Sequence, residues 1–304
     1  MSEFHFFIEQ LNQMPPALLM SMVAFVSLCV GSFLNVEIVR RPKLSQLDIC
    51  DFFEHKFGSS EALLQKRVES EWASSSRSEC VSCHSELSWF HNIPLFSYLA
   101  LGGKCGFCKE KISIQYPMVE LCTLVTSCIS FGFLFDYTLS LAFAVYFFLL
   151  CVSIILCVID IKDTEIYDLH NTLVMIAATL LLAITPELDL NAAFENAVMG
   201  LVGFLVFLAV FSWVRKLITK EDVGVMGAGD VPLIFCAIMW GVGLDYIEDG
   251  LTLLFMISVS MLTFGFTVLT RFLIMNDRSM EIPAAPTILV AMHTLIWAQL
   301  GFSF

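Results

Sequence analysis

Apolar residues run through this chain in long unbroken stretches, separated by short polar ones, with little of the alternation that marks strands. Eight stretches stand out, at roughly 16–36, 114–134, 138–160, 170–185, 193–214, 231–244, 250–270 and 284–302. About 20 apolar residues cross a hydrocarbon core as helix, and most of the eight are long enough. The fourth and sixth, at about 14–16 residues, are short for a full span. In lipid every backbone polar group must bond internally, so helices are the expected form. The first stretch follows Glu3 and Glu9 instead of a basic region and shows no small-residue cleavage site, so it is expected to remain as a span. The predicted fold is an all-α polytopic membrane protein of about eight transmembrane helices. Three parts are expected: an N-terminal helix at 1–37, a small polar domain at 38–113, and a helical membrane domain at 114–304.

Composition agrees with the pattern. Of 304 residues, 58% are hydrophobic and only 15% charged, and 28 are Phe. A soluble domain is nearer half apolar and a quarter charged. The formal net charge of -13 argues against a nucleic-acid partner. The placement of charge gives orientation. All 16 Lys and Arg fall in the connections 37–113, 161–169, 215–230 and 271–283, whereas the opposite loops hold Asp136, Glu187, Asp189, Asp245, Glu248 and Asp249. The positive-inside bias then puts 37–113 in the cytoplasm and both termini on the far side.

The cytoplasmic segment contains Cys80-x-x-Cys83 and Cys105-x-x-Cys108. Two CxxC pairs can close a tetrahedral shell around Zn2+, and a reducing cytoplasm disfavours disulfides. The bland alternative is a set of buried free thiols. His84 and His91 lie nearby and read as ordinary residues, because four Cys already complete the shell. Metal binding would supply much of the folding energy of so small a domain. The stretch 51–79 reads as a short amphipathic helix and a linker. The six cysteines within spans, such as Cys151 and Cys236, read as small hydrophobes.

Ionisable groups in spans are costly and raise a functional hypothesis. Asp160 ends the third stretch and Asp230 opens the sixth, both at the cytoplasmic edge. Two carboxylates sharing a site cannot both ionise easily, so one holds a proton while the other acts as base. That pair can activate water and protonate a leaving amine, as peptide hydrolysis requires. Gly227 and Gly229 before Asp230 allow close approach to a substrate. Alternatively, both Asp residues are helix caps at the interface. Asp168 is a further candidate cap, for the fourth stretch.

The chain resembles the bacterial type IV prepilin peptidases. The resemblance rests on Gly31-Ser32-Phe33-Leu34-Asn35-Val36 with Arg40 and Pro42, and on Asn92-Ile93-Pro94-Leu95 within Cys80 to Glu120. It continues through Ile159-Asp160 to Asp168 and Met226 to Val231, with Pro283 and Pro286 near the last stretch. It implies an inner-membrane aspartyl protease that cuts the basic leader of prepilins or pseudopilins after Gly. The family then methylates the new N-terminus with S-adenosylmethionine. Asp160 and Asp230 match the catalytic aspartates, and Cys80, Cys83, Cys105 and Cys108 the zinc ligands. The chain departs from the family pattern at Tyr167, Pro232, Val81 and Ala284-Ala285. No glycine-rich nucleotide turn marks a methyl-donor site, so methylation rests on the resemblance. Glu37, Gly103 and Lys104 are conceivable participants in it.

Two other readings compete. One is a GxGD protease without methylation. The other is a zinc-stabilised transporter or scaffold whose acids bind a cation. A transporter site is expected near the bilayer midplane, not at one face.

Overall fold

A computed structural model describes residues 2–57, 78–185, 190–219, 229–241 and 283–301. Nine α-helices form among the described residues: α1 Ser2–Asn12, α2 Pro16–Phe57, α3 Phe96–Ala100, α4 Gln115–Phe133, α5 Leu141–Asp163, α6 Asp168–Ala183, α7 Leu190–Thr219, α8 Asp230–Gly241 and α9 Ala285–Gly301. The described residues include two isolated β-bridges and no longer strand. Among the described residues three helices are long and apolar enough to cross a membrane: Pro16–Arg40 within α2, α4, and α5. The helices α6, α8 and α9 are apolar but shorter. The architecture is that of an all-α polytopic membrane protein. The expected seventh span, 250–270, lies outside the described residues, as do Gly227 and most of the linker in 51–79.

Two expectations change. The first helix does not stop with its apolar stretch but runs on to Phe57. Hydropathy marks where a helix leaves lipid, not where its backbone bonding ends. Pro42 inside it removes one N–H without ending the helix. The N-cap of α6 is Tyr167, not Asp168, which is its first helical residue.

The chain divides into two compact units, Met1–Gly132 and Phe133–Phe304. In the first, α2 buries Leu19, Val23, Ser27, Leu34, Asn35 and Ile38 along one stripe. Gly31 lies on that stripe, where a Cβ would come within 2.9 Å of the Glu120 Cα. Only glycine lets the two backbones approach so closely, a usual device between helices in lipid. Asn35 Nδ2 then donates to the Tyr116 carbonyl at 3.1 Å. The α4 helix turns Thr123, Ser127 and Ser130 inward and exposes Met118, Leu121, Val125, Ile129 and Phe133. The inward hydroxyls donate to carbonyls four residues back, which satisfies them without a water.

In the second unit α5 is the central helix, buried along most of its length and packed on α6 and α9. The α8 helix packs against α6, α7 and α9. Ser140 caps α5 by accepting from the Phe143 N–H at 3.1 Å. At the other end Thr164 takes a left-handed conformation, φ 52°, and returns its N–H to the Asp160 carbonyl at 3.0 Å. That turn ends the helix one turn after Asp160 and sends the chain back into α6.

Candidate functional site

Asp160 sits in the last turn of α5 and is buried, 3% exposed. Its Oδ2 accepts the backbone N–H of Ala285 at 2.9 Å. Ala285 is the first residue of α9, so the carboxylate lies at a helix N-terminus whose donors have no intrahelical partner. The Pro283-Ala284-Ala285-Pro286 sequence starts this helix, and Pro286 follows where an N–H would in any case lack a partner.

Asp230 is the first residue of α8 and is buried, 7% exposed. Pro232 lies in the first turn, which explains how α8 accepts it. The turn before Asp230 is fastened from α6: Asn171 Nδ2 donates to the Gly229 carbonyl at 2.7 Å. A Cβ on Gly229 would stand 3.0 Å from the Ile166 Cβ, so this position has no room for a side chain. The end of α5 is thus joined to the start of α9, and the start of α6 to the start of α8. Both aspartates therefore lie at one end of this unit.

Along α5, Tyr146, Ser153 and Asp160 recur every seven residues, two helical turns apart. Each has a partner on α9, which runs the other way. The Tyr146 hydroxyl accepts from Trp297 Nε1 at 2.8 Å and pairs with His293 Nδ1 at 3.2 Å. His293 Nε2 pairs with the Ser153 hydroxyl at 3.0 Å. Asp160 to Ala285 completes the series. This polar seam fixes the register of α9 on α5, and hence which N–H meets Asp160. Sequence reading singled out neither Asn171 nor His293. Asn171 lies between His170 and Thr172 in the first turn of α6, and His293 lies beside Thr294 within α9; a short polar run inside an apolar stretch was the available signal.

The four clustered cysteines do converge. Their Sγ atoms all lie within 4.8 Å of one another, and Cys80 and Cys108 are 3.9 Å apart. Four sulfurs about 2.3 Å from a tetrahedral zinc would stand about 3.8 Å apart, so the donor set fits such an ion. Two copies of one backbone turn bring them together. Cys80 N–H donates to the Ser85 carbonyl and His84 N–H returns to the Cys80 carbonyl. Twenty-five residues later Cys105 N–H donates to Glu110 and Lys109 N–H returns to Cys105. His84 and Lys109 share a left-handed φ, 53° and 62°. The bridges Glu79 to Glu86 and Lys104 to Lys111 close the two turns at equivalent places. Hydrogen bonds from the Ser85 side chain and backbone lower the Cys83 thiol to about 6. The Glu110 backbone favours a Cys108 thiolate, but desolvation and the other thiols push it up to about 12. A divalent cation would remove that last penalty. His91 stays outside the sulfur cluster and packs on Phe107 and against Gly106.

The chain has recognisable relatives. Residues 25–133 match the Bacterial Peptidase A24 N-terminal domain. A prepilin leader peptidase/N-methyltransferase of Pseudomonas aeruginosa is 35% identical over 222 residues, covering 71% of this chain and 70% of the relative. One of Stutzerimonas stutzeri is 33% identical and covers 71% of each chain. One of Vibrio cholerae serotype O1 is 30% identical, covering 74% of this chain and 78% of the relative. No solved structure matches at comparable significance. With its apolar helices, its four-cysteine cluster and this extent of identity, the chain belongs to the prepilin leader peptidase/N-methyltransferase family.

Proposed function

We propose that this protein removes the basic leader of type IV prepilins or pseudopilins after Gly and then N-methylates the new terminal residue. Asp160 and Asp230 form the hydrolytic pair. One carboxyl holds a proton and the other takes a proton from water as it attacks the scissile carbonyl. The tetrahedral intermediate collapses as the protonated partner gives its proton to the leaving amine. The Ala285 N–H holds Oδ2 of Asp160 in place. Asn171 holds the Gly229 turn, and with it Asp230. Gly229, which lacks a Cβ, lets that turn pack against Ile166. The observation that carries this reading is the arrival of two buried aspartates at one end of a helical unit, from helices 70 residues apart.

Cys80, Cys83, Cys105 and Cys108 would hold a structural zinc ion, with no open position for catalysis. S-adenosylmethionine would supply the methyl group. We place the protein in the inner membrane, with the domain at 38–113 in the cytoplasm, the peptidase domain at 114–304, and both termini periplasmic.

The test is cleavage, in membranes, of a prepilin-like peptide with a basic leader, Gly at the cut and an apolar helix after it. Wild type should yield a new N-terminus carrying a methyl mass shift. Asp160→Asn and Asp230→Asn should each remain in the membrane and lose cleavage. Cleavage retained by either variant rejects the pair.

A further inference from the structure

Between the two cysteine turns the chain runs from Trp89 to Gly103 without one Asp, Glu, Lys or Arg. It is too short to span a bilayer, and Pro94 and the turn at Gly102 and Gly103 interrupt it. A soluble domain would bury such a segment. Here Trp89 is 78% exposed, Phe96 67% and Leu99 74%.

The location of the segment is fixed by one bond. Leu95 N–H donates to Glu120 Oε2 at 2.8 Å. Leu95 holds a left-handed φ of 59° to do so, a conformation a branched side chain seldom adopts. Glu120 lies five residues into the spanning helix α4, about 7 Å from its start. The start of the α3 helix is thereby held beside the first turns of α4. Beside it, the same end of α4 exposes Met118 and Leu121. The Gly103 N–H returns to the Tyr98 carbonyl and the Lys104 N–H to Leu101, so the cation of Lys104 follows the apolar segment directly. Lys111 is joined to Lys104 across the bridge. Aromatic and aliphatic side chains beside lysines suit the boundary between acyl chains and anionic headgroups.

We propose that the segment from Trp89 to Leu101 is a half-immersed interfacial anchor, which lays the cysteine-turn domain on an anionic lipid surface. Phe96, Leu99 and Trp89 enter the acyl boundary, and Lys104 and Lys111 meet lipid phosphates. The proposal goes beyond the hydrolytic reading and does not depend on the identity of the catalytic pair.

The test replaces Phe96 or, separately, Leu99 by an environment-sensitive fluorescent amino acid in the full chain. The protein is reconstituted in vesicles of phosphatidylcholine and phosphatidylglycerol that contain lipids brominated at shallow or deep acyl carbons. A label at Phe133, in the span, selects preparations that have inserted. Shallow bromines should reduce emission at both positions at least about twofold, and deep bromines less, as expected for a helix lying in the interface. Emission unchanged by either lipid at both positions would overturn the proposal. So would stronger quenching from the deep bromines. An unquenched label that shifts to the blue only when a prepilin-like peptide is added would assign the surface to substrate instead.

Discussion

Gly229 and Asn171 fasten the turn that leads into Asp230. A methyl group on Gly229 would press on the Cβ of Ile166, which cannot rotate away. Gly229→Ala should move the turn that carries Asp230, and displacement of a reacting group by about 1 Å costs roughly a hundredfold in rate. We expect cleavage to fall at least about tenfold, with the amount of protein in the membrane unchanged. Asn171→Leu should act at the same place by another route. It strips the Gly229 carbonyl of its donor, an unpaired buried acceptor costing about 1–3 kcal/mol. Its effect on cleavage, measured at equal protein, should match that of Gly229→Ala in direction. Equal cleavage by the Asn171 variant and wild type would mean that the turn is held without it. The glycines were visible in the sequence as a pattern before an aspartate. Asn171 was not, because its partner is a backbone carbonyl 58 residues away and no local spacing encodes that pairing.

Among the elements, the seam between α5 and α9 makes a separate claim. Tyr146, Ser153, His293 and Trp297 join two helices that lipid alone would not hold in a given register. His293→Leu should destabilise the purified protein by about 1 kcal/mol, the scale of hydrogen bonds between membrane helices, read as a lower thermal midpoint in detergent. His293→Gln, which keeps a donor and an acceptor, should recover part of the loss. The cysteine turns respond to a different change. Replacing Cys80, Cys83, Cys105 and Cys108 together by Ser should lower bound zinc from about one per chain to near none, measured by elemental analysis. Zinc held at full stoichiometry would refute the ligand assignment. The CxxC spacing announced these turns because the chemistry is local. Their 25-residue repeat was harder to see, since every residue around the two cysteines differs and the flanking bridge residues change from Glu to Lys. The extension of α2 to Phe57 escaped hydropathy because its last turns are polar.

For the whole molecule the sequence was most informative about lipid. Long apolar stretches became helices at nearly the expected places, as with 138–160 and Leu141–Asp163. Segments shorter than a span, such as α8, were legible as apolar helices but not as partners, because every face of them is hydrophobic. The distribution of lysine and arginine makes a prediction at this scale. Alkaline phosphatase fused after Asp136 should be active, as on the periplasmic side, and fused after Asp163 should be inactive. The reverse result would invert the topology and remove the aspartates from the face where leaders lie.

The bond between Asp160 and Ala285 also orders events in time. The ribosome makes the acceptor 125 residues before the donor. At about 5–20 residues per second, roughly 6–25 s pass between them. During that interval a chain already holding Asp160 in the membrane lacks the helix that orients it. A chain released before residue 285 would carry both aspartates without the backbone N–H that holds Asp160, and its expected activity is correspondingly low.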